Sequence, residues 1–490
     1  MATRLVRSID WGTKVHDGRV TYVFTEEGRE TQSPFGKIVS AGFVDYEKAQ
    51  FKAAFKLFAS FTDLHFHEVK ALAKADLRLA TFRGESTTLG AMGPPGYPGS
   101  GGVGAFNYEG LGWDYRSPGT GGLEQGGFGF VTIIHELGHG LGLAHPHDTG
   151  GSSSVFPGVE SSSDLGDYDL NQGVYTVMSY NDGWKTNPAG APPGYEFGYQ
   201  GTPMAIDIAV LQRKFGVNDE YHKGGNTYRL PDANKVGTSY DCIWDAGGHD
   251  AIVNRSGMPS TIDLRAATLK PEPGGGGYIS YVGGIFGGFT IANNVRIEDA
   301  KGGAGDDVIV GNAALNRLDG RNGDDFISGR GGGDRLLGGP DSDRLEGGGG
   351  NDRLEGGAGD DVLVGGPGKD ELRGGPGSAT LTGGGGDDIF VFHVTLIPGA
   401  VATITDFDPA EDVFHLSSIA FAGTGAAGVL AVAAFAIGEA ALDAGDRIIY
   451  DADSGALRFD PDGSGPIGAI QFAKLEANQP LTYGDFVVFG

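Results

Sequence analysis

The chain is nearly without cysteine. Cys242 is the single one, so no intrachain disulfide is possible and a disulfide framework is excluded. Cys242 itself reads as a small buried hydrophobe. Basic residues are scarce: 36 Lys and Arg stand against 63 Asp and Glu, a formal net charge of −27. That balance argues against nucleic acid and anionic membrane surfaces as partners, and fits a chain that collects cations. No apolar run reaches the roughly 18 residues that a membrane span needs. The opening "MATRLVRSIDWGTKV" lacks the apolar core of a secretory signal peptide. The chain is therefore expected to stay in the cytosol, or to leave by a route that does not read its N-terminus. Its length suggests two or more domains.

Against these shortages stands a dense cluster of histidine. "HELGHGLGLAH" covers His135 to His145. Residues four apart lie on one face of a helix, so His135 and His139 can grip one ion from the same side. Glycine accepts a positive φ at a helix C-terminus, so Gly142 can end the helix and let His145 return to the same ion. Three imidazoles with a fourth position open to water suit a catalytic Zn²⁺. Glu136 points to the neighbouring face, placed to take a proton from that water rather than to bind metal.

Glycine is the other excess, with 90 residues and no collagen triplet. From Gly302 the chain repeats in nines through residue 391, beginning GGAGDDVIV, in the form GGxGxDxUx with U apolar. The sixth places are Asp307, Asn316, Asp325, Asp334, Asp343, Asp352, Asp361, Asp370, Ala379 and Asp388. Carboxylates at that place suit Ca²⁺, and the last three residues of each unit suit a short strand with U inward. One unit cannot bury its apolar side chain alone, so the units are expected to stack as a parallel β-roll, two units to a turn. Calcium would then sit between unit n and unit n+2, giving about six good sites, with Asn316 and Ala379 as weak points. Without calcium, repulsion between aspartates and glycine's chain entropy oppose order, so the roll is expected to fold only outside the cell.

The remaining periodicities are conventional. Val20–Phe24 and Asp76–Phe82 read as strands. Asp45–Phe61 reads as a helix with Phe51, Phe55 and Phe58 on one face, and a further helix is expected near Met204–Phe215. The glycine-rich stretch Gly90–Gly129 reads as loop. The boundary is set at residue 225: an α+β domain over 1–225, then an all-β domain over 226–490 that contains the repeats at 302–391.

His135-Glu136-x-x-His139-x-x-Gly142-x-x-His145 resembles the zinc motif of the metzincin proteases, and "YTVMSY" (Tyr175–Tyr180) resembles their Met-turn, with Met178 beneath the metal. "AHPHD", "DIAVLQRKFG", "IWDAGGHD" and "IANNVRIEDAKGGAGDD" are similar to the serralysins, the secreted M10B metalloproteases. The resemblance departs at His147, where serralysins usually carry glycine, and at the short start, which leaves little room for a propeptide. It implies a metzincin-like protease domain followed by a calcium-binding RTX roll. It also implies a monomeric, extracellular zinc endopeptidase acting on proteins or peptides, with Tyr180 donating a hydrogen bond to the oxyanion. Export would use type I secretion machinery, and the ending "DFVVFG" resembles the serralysin close, two residues longer. The competing reading is a calcium-dependent RTX binding or adhesion protein whose protease domain has weakened. The intact Glu136 and all three histidines argue against it, and no G-x-S-x-G supports an RTX lipase.

Overall fold

Two unlike periodicities run along the chain, and each builds its own unit. The computed structural model describes residues 3–15, 18–85 and 87–490. The first unit holds the chain up to Asn226, with Leu230–Asp250 and Arg265–Arg296. The second holds Thr227–Arg229, Ala251–Leu264 and Ile297–Gly490. Among the described residues no helix is long and apolar enough to cross a membrane.

The first unit is α+β. Helix α1 covers Arg4–Ser8, α2 Asp45–Phe61, α3 Phe128–Gly140 and α4 Ala205–Phe215. On α2 the three phenylalanines named from their spacing are buried. Phe51 meets Phe24, Phe43 and Phe106 edge-on at 4.8–5.8 Å, an arrangement that aromatic quadrupoles favour. The Glu47 carboxylate closes the N-terminus of α2 on the Val44 amide and accepts from Trp113 Nε1 at 2.7 Å. The five-stranded sheet runs in the order His65–Glu68, Arg19–Phe24, Leu77–Phe82, Val103–Asn107, Gly90–Met92. The first four strands are parallel, and the last is antiparallel to its neighbour.

Gly90–Gly129 is therefore not all loop: Gly90–Met92 and Val103–Asn107 are strands, the latter buried along its whole length. Glycine counts against a strand in composition, yet here it is demanded by closeness. A Cβ on Gly104 would come within 2.9 Å of the Phe106 ring and 3.3 Å of Met92 Sδ.

In the second unit the nonapeptides form a parallel β-roll. Leu318, Leu336, Leu354, Leu372 and Phe390 align in register across one sheet. Ile309, Ile327, Leu345, Leu363 and Leu381 align across the other. All are at most 1 % exposed, so the U residues form the core. Several strands are longer than the three residues expected. Arg335–Pro340 and Arg353–Ala358 pair on through Gly339 and Gly357, so the ladder continues into the glycines of the next unit. The same unit carries parallel strands before the repeat, at Thr227–Arg229, Ala251–Val253 and Asp299–Lys301, and ends in a strand at Phe486–Phe489.

At three turn positions of the roll the left-handed conformation is held by a residue with a side chain: Arg321 (φ 81°), Arg330 (φ 77°) and Asp341 (φ 79°). Such a residue pays roughly 1–2 kcal/mol that glycine avoids, partly offset by glycine's extra freedom when unfolded. Arg330→Gly is expected to stabilise the roll by up to about 1 kcal/mol. A urea melt of the full chain checks this; a lower midpoint for the roll transition would show that the arginine stem holds more than its backbone costs.

Candidate metal centres

Helix α3 is buried along most of its length, and its end is built to turn sharply. The Gly142 amide donates to the His139 carbonyl and the Leu143 amide to the Gly138 carbonyl, both at 2.9 Å, the paired bonds of a Schellman stop. Gly142 has φ +95°, and a Cβ there would lie 2.2 Å from the Thr13 carbonyl oxygen. Both conformation and space require glycine, and the turn returns His145 to the helix.

The three imidazoles named from the sequence are brought together. His145 Nε2 lies 3.2 Å from His135 Nε2 and 2.9 Å from His139 Nε2. The opposite ring nitrogens decide what these contacts are. His135 Nδ1 is 2.7 Å from the Val177 carbonyl, and His139 Nδ1 is 3.0 Å from the Leu143 carbonyl. A carbonyl only accepts, so each Nδ1 carries its proton and each Nε2 presents a bare lone pair. His145 Nδ1 faces the Asp148 carboxylate at 2.7 Å, which orients it in the same way. Burial, with repulsion from neighbouring imidazoles, pushes His135 and His139 down to about 3 and His145 to about 4, which favours the neutral rings. The three together form a donor set that could hold a metal ion. Nitrogens about 2.0–2.1 Å from a tetrahedral Zn²⁺ lie about 3.3 Å apart, close to the spacing here.

Glu136 follows the first histidine and is 6 % exposed. Its Oε2 has no hydrogen-bond partner among the described residues, and burial raises its pKa to about 8 against the pull of the Met92 amide. A Cβ on Gly90 would sit 3.2 Å from Glu136 Cγ, so the edge strand passes the carboxylate with no side chain between.

Met178 is fully buried, and its Sδ would touch a Cβ placed on Gly138 at 2.9 Å, so it packs against the metal-bearing helix. Its turn is held by a residue that sequence reasoning quoted but gave no task. Asp207, fully buried on α4, accepts from Thr176 Oγ1 at 2.6 Å, the Val177 amide at 2.8 Å and the Met204 amide at 2.9 Å. One carboxylate thus caps α4 and fixes the carbonyl of Val177 that orients His135. The available signal was an acid at the third helical position, which commonly caps a helix. Tyr180 stands at the mouth, 54 % exposed, its ring 4.7 Å from that of His145 and 5.8 Å from that of His135.

The second candidate is the roll. In each coil turn one oxygen of a sixth-place aspartate accepts the amide of the equivalent residue one turn back. Asp325 takes Asp307, Asp343 takes Asp325, Asp361 takes Asp343, and on the other sheet Asp352 takes Asp334 and Asp370 takes Asp352. The other oxygen, Oδ2, is buried and unpartnered in Asp325, Asp334, Asp343, Asp352, Asp361, Asp370 and Asp388. Asp307 differs, because its Oδ2 accepts the Gly303 amide and its Oδ1 the Ser260 amide and hydroxyl. Asn316 is likewise closed by the Asn312 amide and the Glu298 carbonyl. Asp412, outside the repeat, extends the ladder by accepting from the Asp388 amide. No nonapeptide spacing marks it.

Burial raises Asp325 to about 8, Asp334, Asp343 and Asp370 to about 7, and Asp361 and Asp388 to about 6. These values lie above those of the unfolded chain, so the folded roll binds more protons and gains stability at low pH. That gain is lost as pH rises through about 6 to 8. In chelator, the roll is expected to melt at a lower temperature at pH 8 than at pH 5. A chelator melt that rises between those pH values would contradict the burial of these carboxylates.

Residues 232–444 match the family model of the M10 peptidase serralysin C terminus. Serralysin of Proteus mirabilis is 37% identical over 216 residues, covering 42% of this chain and 40% of that protein. Metallopeptidase AprA of Pseudomonas marginalis is 29% identical over 341 residues, covering 64% of this chain and 65% of that protein. Serralysin C of Dickeya chrysanthemi is 33% identical over 229 residues, covering 42% of this chain and 41% of that protein. The matches thus span about 40 to 65% of these relatives' lengths. The chain is thus similar to the serralysin C terminus over residues 232–444, and to these metallopeptidases over part of its length.

Proposed function

We propose that the chain is a secreted zinc endopeptidase with a metzincin-like catalytic domain and a calcium-stabilised β-roll. The observation that carries this reading is the meeting of three Nε2 lone pairs, their tautomers held from behind, beside the free buried oxygen of Glu136. His135, His139 and His145 would hold the metal. Zinc supplies there a Lewis acid that polarises the scissile carbonyl and lowers the pKa of water toward about 7. Glu136 accepts the proton as the water oxygen bonds to the carbonyl carbon, and returns it to the amine nitrogen as the C–N bond breaks. Its buried setting favours the protonated form that the second step needs. Tyr180 donates its hydroxyl proton in a hydrogen bond to the oxyanion, a charge that exists only near the transition state. The substrates are proteins or peptides, and the chain acts as an extracellular monomer exported by type I secretion machinery. An adhesion role alone gives no account of the free Glu136 oxygen.

Glu136→Ala is expected to abolish casein digestion while retaining about one zinc per chain, since it removes the base and leaves the ligands. His145→Ala is expected to lose the metal as well as the activity. Zinc analysis of purified variants reads both; full zinc in His145→Ala, or substantial turnover in Glu136→Ala, would overturn the assignment.

Calcium is assigned to slots where both facing carboxylates keep a free oxygen. These are Asp325 with Asp343, Asp334 with Asp352, Asp343 with Asp361, Asp352 with Asp370, and Asp370 with Asp388. The expected load is about five tightly held ions. Asp307 was expected to join Asp325, but its bonds to Gly303 and Ser260 leave that slot weaker. Ala379→Asp is expected to add one ion, opposite Asp361. Calorimetric titration of the chelated full chain counts them; fewer than three, or no gain in Ala379→Asp, would break the pairing.

A further inference from the structure

His147 belongs to none of the roles above, yet its ring is part of the same cluster. It stacks on His145 with centroids 4.9 Å apart and planes at 15°, and meets Tyr180 at 4.5 Å. That is the shortest of the three ring contacts that Tyr180 makes with imidazoles; the other two are with the presumptive ligands His145 and His135. Tyr180 is 54 % exposed, so one side of its ring is open to solvent. His147 Nδ1 is buried and has no hydrogen-bond partner among the described residues. That nitrogen is thus unused, while the face of the ring is used twice.

We propose that His147 is a positioning residue that clamps the Tyr180 ring by its face and so holds the phenol hydroxyl at the mouth of the metal centre. His147, His145 and Tyr180 form one aromatic pile in which His147 is given neither the metal nor the oxyanion to hold. Removing it leaves Tyr180 its contacts with His145 and His135 but opens one side of the ring. An aromatic pair of this kind shifts a conformational equilibrium by about two- to tenfold. The clamp acts through Tyr180, so its loss costs transition-state stabilisation and leaves ground-state binding alone. The proposal rests on the protease reading and on Tyr180 as the oxyanion donor.

The test uses the zinc-loaded full chain as wild type, His147→Ala, His147→Phe, Tyr180→Phe and the double variant His147→Ala/Tyr180→Phe. Kinetics on a quenched fluorescent peptide are read with zinc content and with the rate of Tyr180 nitration by tetranitromethane, followed by peptide mass. His147→Ala is expected to lower kcat two- to tenfold with KM within about twofold, and to raise Tyr180 nitration by a similar factor. His147→Phe restores both, because it keeps the face and discards the nitrogens. In the double variant, loss of His147 adds nothing to loss of the hydroxyl. Zinc stays at about one per chain throughout. A His147→Phe variant as impaired as His147→Ala would assign the work to a ring nitrogen. Loss of zinc in His147→Ala would make it a ligand, and a full additional loss in the double variant would route its effect elsewhere; each overturns the clamp. If Tyr180→Phe equals wild type, or the wild type cleaves nothing, the underlying reading fails. The nitration rates then decide the clamp alone: unchanged nitration in His147→Ala removes it.

Discussion

Lone pairs and carboxylate oxygens crowded into buried space are the constraint on which the structure depends. A buried acceptor with no donor costs a large part of its desolvation energy, and one facing another acceptor costs more. The chain builds this situation twice. In the first unit, two carbonyls and a carboxylate hold protons on the Nδ1 side of three imidazoles, so their Nε2 atoms meet bare. In the second, a ladder of amides engages one oxygen of each aspartate and leaves the other buried and open. Each arrangement makes a demand that a bound cation would meet.

The two sites make the demand differently. The histidine site is preorganised by groups that do not touch the metal: Leu143 and Val177 through their carbonyls, Asp148 through its carboxylate, and Asp207 one step further back. Asp207 shows how far the support extends. It fixes the amide of Val177, whose carbonyl orients His135, and it caps α4 in the same act. In the roll the support comes from the backbone amides of the ladder. Its carboxylates are spaced by the strand ladder itself, and glycine backbone packs against glycine backbone where a Cβ on Gly350 would lie 1.4 Å from the Gly332 oxygen. The first site is oriented by its surroundings, while the second is a row of carboxylates whose mutual repulsion a bound cation would relieve.

Legibility in the sequence follows from how local each feature is. The histidine site was legible because three ligands, the base and the turning glycine fall within eleven residues, and helix geometry fixes their relation. The roll was legible because its period repeats, so the inward residues Ile309 to Phe390 follow from counting. Helix α2 was legible from the spacing of its phenylalanines. What escaped depends on distant partners. Val103–Asn107 was hidden because glycine lowers strand propensity, and the reason for its glycine is a ring and a sulfur reached only in the folded sheet. Asp412 lies outside the nonapeptide, and only the strand ladder brings it to the Asp388 amide. The engagement of Asp307 by Ser260 joins residues 47 apart, which no nine-residue period encodes.

The same contrast bears on why the chain carries so strong a negative charge. At the histidine site charge is nearly absent: the ligands are neutral, and Glu136 sits where burial favours its protonated form. Imidazole nitrogens in a three-point arrangement suit a transition metal. In the roll the charge is the selecting agent, since hard carboxylate oxygens in a row suit a hard cation and reject one that prefers nitrogen. The rows also set a threshold. Successive carboxylates share coil turns, so an ion in one slot lowers the repulsion felt in the next, and the apolar residues behind them are already in register to pack. A cation bound between these rows would favour the folded roll over the unfolded chain.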